Sequence, residues 1–135
     1  MSGTSPTARG MKMLREFGYQ GEIVEVFVKH SGTAFGYKKD VLGLFDAIVF
    51  TRKQSDLGMG TDVFECLGAQ FCSVSGISSH KRKAINSPWL EPWLKSGNKF
   101  VIYGFWPWSN EDRRDEHVVV EATINDAGRA GFIKS

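Results

Sequence analysis

Residues 44–51 read LFDAIVFT, a near-continuous apolar run broken by a single carboxylate, Asp46. The run is too short for a membrane span and rich in β-branched and aromatic side chains. It reads as a strand buried on both faces, as in the central sheet of an α/β domain. An ionised carboxylate is costly to bury without a partner, so a cation, backbone donors or a metal ion should compensate Asp46.

Upstream, EIVEVFV (22–28) reads as a strand bounded by Gly21 and the 30–32 turn. Residues 29–40 carry Gly32, Gly36, Lys29, His30, Lys38 and Lys39 and read as a basic loop. Thr7–Phe17 places Met11, Met13, Leu14 and Phe17 on a broken helical pattern, with Gly18 as its stop. Residues 1–10 are small and polar, with no apolar leader stretch, and read as a flexible arm before one domain over 11–135.

Downstream, 52–61 reads as a turn and DVFECLGAQFCS (62–73) as a third strand weakened by Gly68. Ser78 or Ser79 caps a helix starting near His80. This helix pauses at Ser87-Pro88 and restarts as WLEPWLKS, with Pro92 in its first turn and Gly97 closing it. KFVIYGFW (99–106) and HVVVEATI (117–124) are strands separated by a polar turn, and the tail from Asn125 is left without an element. The order α-β-β-β-α-β-β predicts an α/β fold, a central mixed sheet of about five strands flanked by helices. The helix between the third and fourth strands serves as the crossover.

Composition narrows the function classes. A net charge of +2 is too mild to imply nucleic-acid binding, so such a site must come from local clustering. Cys66 and Cys72 are too few for a disulfide framework and read as reduced thiols of a cytoplasmic protein. The scattered histidines and the lack of CxxC leave no zinc pattern. Glu25, on the first strand, and Asp40, across the bend at Gly43, are acids that could join Asp46 in a hard-oxygen site for Mg²⁺ or Mn²⁺. A bland reading has Asp46 capping a turn or pairing with Lys38 or Lys39.

A second cluster opens the helix after the third strand: Ser78, His80, Lys81, Arg82 and Lys83, with Ser73, Ser75 and Gly76 ahead of it. Serines and cations at a helix start suit a phosphate, and a solvated helix face is the plain alternative. Of the aromatics, Trp89, Trp93, Tyr103 and Phe105 read as core. Trp106 and Trp108, flanking Pro107, read as exposed.

LREFGYQGEIVEVFV (14–28), KKDVLGLFDAIVF (38–50), GAQFCS (68–73), SSHKRKAI (78–85) and WLKSGNKFVIYGFW (93–106) together resemble a family of small phage and environmental proteins. These are related to PD-(D/E)XK nucleases and often described as Holliday-junction-resolvase-like. The resemblance spans roughly residues 12–124. It implies a restriction-endonuclease-like core and a metal-dependent DNA endonuclease of a bacterial or phage-infected cell, commonly a homodimer.

By that resemblance Asp46 is the motif's first aspartate and would hold a divalent ion. Gln70 stands where the second acid belongs, and Cys72 where the lysine belongs. Gln70 still offers a carbonyl oxygen. Lys81 or Lys83 would stand in for the ammonium and contact the phosphate, and Glu65 for the acid, although an odd separation puts Glu65 and Gln70 on opposite strand faces. Three readings follow: a nuclease; a non-catalytic nucleic-acid-binding module keeping the nuclease fold, using Lys38, Lys39 and the helix start; and an interaction protein with an apolar patch at Trp106–Trp108.

Overall fold

A computed structural model describes residues 5–23, 26–29, 36–39, 42, 44–54 and 62–134; for 26–29, 36–39, 51–54, 62–64 and 134 it describes the backbone alone. The first helix, α1, runs Pro6–Glu16. Ser5 caps it by accepting from the Ala8 N–H at 3.2 Å, and Pro6 supplies a preset first turn. Gly18, at φ +92°, provides the left-handed residue that ends it. Pro6–Gly10 therefore belong to a helix and not to an N-terminal arm, because capping and the burial of Gly10 and Met11 begin there.

The strands are β1 (Gln20–Ile23), β2 (Val26–Lys29), β3 (Gly36–Lys39), β4 (Ala47–Gln54), β5 (Asp62–Ser73), β6 (Lys99–Phe105), β7 (His117–Ile124) and β8 (Ala130–Lys134). Six of them form one mixed sheet in the order β1-β4-β5-β6-β7-β8; β2 and β3 pair antiparallel as a separate ribbon. Within the main sheet β5 and β6 are parallel and the other neighbours antiparallel. A parallel pair needs a long crossover. Here it is a 3₁₀ turn, Val74–Gly76, then α2 (Ile77–Ile85) and α3 (Leu90–Lys95).

The expected α/β class holds, with six strands in place of about five. The added strand is β8, at one edge, and the β2–β3 ribbon lies outside the main sheet. The single strand read over 22–28 is split into β1 and β2, and the loop read over 29–40 contains β3. The polar tail forms β8, because Phe132 reaches back to the Phe100 ring (centroids 6.2 Å apart) and so earns an element that its neighbours' composition hides. Helix α2 starts at Ile77, ahead of the expected Ser78 or Ser79 cap, since the 3₁₀ turn leads directly into it.

Both faces of the sheet are covered, as the apolar run of β4 requires. On one face α1 sets Met11 and Leu14 over Ala47, Val49, Leu67, Ala69, Phe71 and Val101. On the other, α2 and α3 set Ala84 and Leu90 over Phe45, Cys72, Phe100, Ile102 and Val120. No helix among the described residues is long and apolar enough to cross a membrane.

Candidate functional site

Asp46 sits at the bend just before β4, where the ladder with β5 stops. Its N–H donates to the Ala69 carbonyl at 3.0 Å, and its Oδ2 accepts from the Phe71 N–H at 3.3 Å. The carboxylate thus replaces the backbone carbonyl that a longer strand would have offered. It is only 3% exposed. The register that pairs Ala47 with Ala69 carries Asp46 to the position beside Gln70.

Gln70 is 4% exposed, and its Oε1 finds no hydrogen-bond donor among the described residues. Two positions on, Cys72 lies on the same strand face. Burial first, and the Asp46 charge second, push its thiol up to about 11. The strand register and their burial thus set Asp46, Gln70 and Cys72 together on one face of the sheet. A thiol held neutral at physiological pH supplies none of the positive charge of a lysine.

Helix α2 crosses this face. The turn at Gly76 lies between Cys72 and His80: a Cβ there would lie 3.6 Å from the Cys72 Cβ and 3.7 Å from the His80 Cδ2. His80 and Lys83, three residues apart, share one flank of the helix. Lys81 points elsewhere, with its ammonium 5.9 Å from the Phe132 ring centroid on β8. Since β8 lies four strand spacings from β4, roughly 19 Å at about 4.8 Å each, Lys81 is not a partner of Asp46. His80, half-buried, lies beside the Gly76 turn, whereas Ser78, Arg82 and Lys83 are exposed.

Glu65 resides on the opposite sheet face, as its spacing from Gln70 demands. It pairs with Lys99, which also lies 4.0 Å from Glu121. It does not replace the missing acid. Glu25 and Asp40 lie outside the described residues, as do the side chains of Lys38 and Lys39, whose backbone belongs to β3. Among the described residues no three His, Cys, Asp or Glu side chains form a metal cage.

Among the aromatics Trp89 departs from the sequence reading, while Trp93 packs on the core and Trp108, 41% exposed, stays at the surface. Trp93 is core-like, packing on Phe45 (centroids 4.8 Å apart) and donating to the Lys99 carbonyl at 2.8 Å. Trp89, expected in the core, is 51% exposed. Its position ahead of the first turn of α3 turns it away from the sheet. The local signal was Ser-Pro immediately before it, a break that takes it off the apolar stripe of Leu90, Trp93 and Leu94.

Trp106 and Trp108 are not a free apolar patch. Arg113 lies 4.8 Å from the Trp106 ring centroid, and Arg9 and Arg114 lie 5.5 and 5.2 Å from that of Trp108. From α1, Arg9 donates to the carbonyls of Trp106 (2.7 Å) and Arg114, strapping the 106–116 segment down. A cleft of about 470 Å³ opens beside this strap, but its walls balance Arg9, Lys12 and Arg114 against Glu16, Asp115 and Glu116. That balance gives it no preference for an anion. Comparison of the chain with family models, curated proteins and solved structures returns no match.

Proposed function

We propose that this chain is a metal-dependent DNA endonuclease or resolvase-like protein, hydrolysing phosphodiester bonds at a site built on Asp46. The observation that carries the reading is a buried carboxylate beside a buried amide oxygen, Gln70 Oε1, that no described donor satisfies. Leaving such an oxygen unmet costs stability. A hard divalent cation, Mg²⁺ or Mn²⁺, takes oxygen ligands of this kind. Asp46 and Gln70 fit as two protein ligands, with Glu25 or Asp40 as the candidates for a third.

Such an ion supplies a water of lowered pKa and offsets charge on the phosphodiester. The chain's own groups do the positioning. The Phe71 N–H fixes the Asp46 carboxylate, Gln70 presents its carbonyl, and the sheet excludes bulk water. Lys83 and His80, one helical turn apart on α2, meet the phosphate. Two free cysteines suit a reducing cytoplasm. A homodimer on two-fold DNA is part of the same proposal, checked by sedimentation.

A second reading has its own observation in favour. Cys72 stays neutral, so β5 lacks the cation that steadies developing negative charge, and a non-catalytic DNA-binding module fits that loss. The two separate cleanly. In the first, calorimetry detects Mn²⁺ binding, the protein nicks branched or supercoiled DNA, and Asp46→Ala abolishes both. If wild type and Asp46→Ala are equally inert and neither binds Mn²⁺, the enzyme reading is lost. The binding module then predicts DNA affinity that falls steeply with salt.

A further inference from the structure

We infer that Ser87 is a positioning residue for Asp46: its hydroxyl latches the chain at Leu42 in a strained conformation, and that latch sets where the Asp46 carboxylate comes to rest. The inference rests on the reading of Asp46 as the site and deepens it, but its test needs neither a metal ion nor DNA.

The strain is at Leu42. Its φ of +58° makes it the one non-glycine residue with a positive φ among the described residues. In that region the Cβ of an L-residue crowds the following carbonyl oxygen. Leucine has no side-chain oxygen to offset this locally, as Asn or Asp has. Burial does not compensate either, since Leu42 is 43% exposed. Such a conformation persists only where the surrounding structure imposes it, and such positions cluster at functional sites.

At Leu42 the surroundings act through one bond. The Ser87 hydroxyl donates to the Leu42 carbonyl at 3.1 Å. Ser87 is itself fixed at the elbow between α2 and α3. Its N–H donates to the Ala84 carbonyl at 3.0 Å, and its hydroxyl accepts from the Trp89 N–H at 3.2 Å. On either side of the elbow, Ala84 and Leu90 are buried in the cluster that also takes Leu44 and Phe45. The core contacts fix the depth of the stretch before β4, and the latch fixes the direction from which the chain enters it.

Asp46 stands at the end of that stretch, four residues after Leu42. Within those four residues the chain turns, buries Leu44 and Phe45, and brings the Asp46 carboxylate to the Phe71 N–H. Phe45 has no slack: its ring is seated over Gly68, where an added Cβ would lie 2.5 Å from the Phe45 Cδ1. A change of φ at Leu42 therefore re-aims a segment that cannot absorb it by repacking. The Phe71–Asp46 bond, already long at 3.3 Å, is the contact that yields.

The Phe71 amide is the reporter, because Asp46 accepts from it. Amide hydrogen exchange is followed residue by residue by NMR in the full chain, with no added metal. Ser87→Ala should speed exchange at Phe71 about fivefold, the effect of losing one hydrogen bond, and change the β6–β7 amides by less than about twofold. Ser87→Thr, which keeps the hydroxyl, should restore the protection. Leu42→Gly in the Ser87→Ala background should restore it too, because glycine holds a positive φ without a latch. In Asp46→Ala, which removes the acceptor, Ser87→Ala should add nothing further at Phe71.

Unchanged exchange at Phe71 in Ser87→Ala overturns the inference, since Leu44 and Phe45 would then suffice to place Asp46. An equal loss across the whole sheet also overturns it, because Ser87 would then only stabilise the fold. Calorimetry of wild type with Mn²⁺ is read separately. A selective Phe71 response in a protein that binds no Mn²⁺ keeps the latch and loses the metal reading; Mn²⁺ binding with no Phe71 response does the reverse.

Discussion

Asp46 is held by the arrangement that buries it. Its carboxylate accepts the Phe71 N–H where the β4–β5 ladder ends, so an amide that β4 does not reach is satisfied by a side chain. The neighbouring Cys72 registers that charge. Below pH 9 the thiol is protonated in the folded and unfolded chains alike. Above it, the unfolded chain releases a proton that the fold retains, so stability falls as pH rises from 9.0 towards about 11. Two pH units correspond to roughly 2–3 kcal/mol. The Tyr103 phenol, also pushed up mainly by burial, extends the loss to higher pH. Thermal melts from pH 8 to 11 should show this decline. Asp46→Asn should leave the onset near pH 9, which the unfolded chain sets, but end the Cys72 part of the decline at a lower pH and make it smaller, because the charge is gone while burial remains. Cys72→Ala should start less stable but decline less across the window; an unchanged slope would mean that Cys72 is not the titrating group.

At the scale of elements, α1 shows packing outweighing propensity. Gly10 lies inside the helix, where alanine is ordinarily better by about 1 kcal/mol. Here a Cβ would overlap the Phe71 ring, with the Cγ only 2.8 Å away. Overpacking of that kind costs about 1–3 kcal/mol. Gly10→Ala should therefore lower the denaturation midpoint. Gly131→Ala, with no atom within 4 Å of its new Cβ, should leave it nearly unchanged. A stabilised Gly10→Ala would show that α1 can lift off the sheet at little cost.

Across the whole molecule, one side chain joins the first helix to the segment between β6 and β7. Arg9 donates to two carbonyls of the 106–116 segment and stacks against Phe105 and Trp108, where partial burial lowers its pKa while the charge of Asp115 opposes that shift. Hydrogen bonds from a charged donor contribute about 1.5–3 kcal/mol each and a part-exposed cation–π contact about 0.5–1 kcal/mol, with non-additive totals. Arg9→Ala should cost about 2–3 kcal/mol in urea unfolding and raise hydrogen exchange across 106–116. Arg9→Lys should recover little of it, because one ammonium cannot span both carbonyls while lying flat on the rings. If both variants match wild type, the strap is incidental.

The sequence by itself determined α1, a strand near each of β1, β4, β5, β6 and β7, the helical crossover between β5 and β6, and the α/β class, but not the β2–β3 ribbon, because those signals are local: apolar runs, glycine stops and a proline-tolerant helix start are written in consecutive residues. It also singled out Asp46, since a carboxylate at the head of an apolar strand is costly wherever the strand packs. Tertiary structure alone decided what long-range partners control. Pairing across the sheet made β8 from a polar tail, the turn of α2 carried Lys81 to Phe132 and away from Asp46, and Lys99 became the partner of Glu65. The Ser87 link between Leu42 and Trp89 spans 45 positions. No local pattern encodes it, because its energy arises only once the loop before β4 and the start of α3 have been brought together.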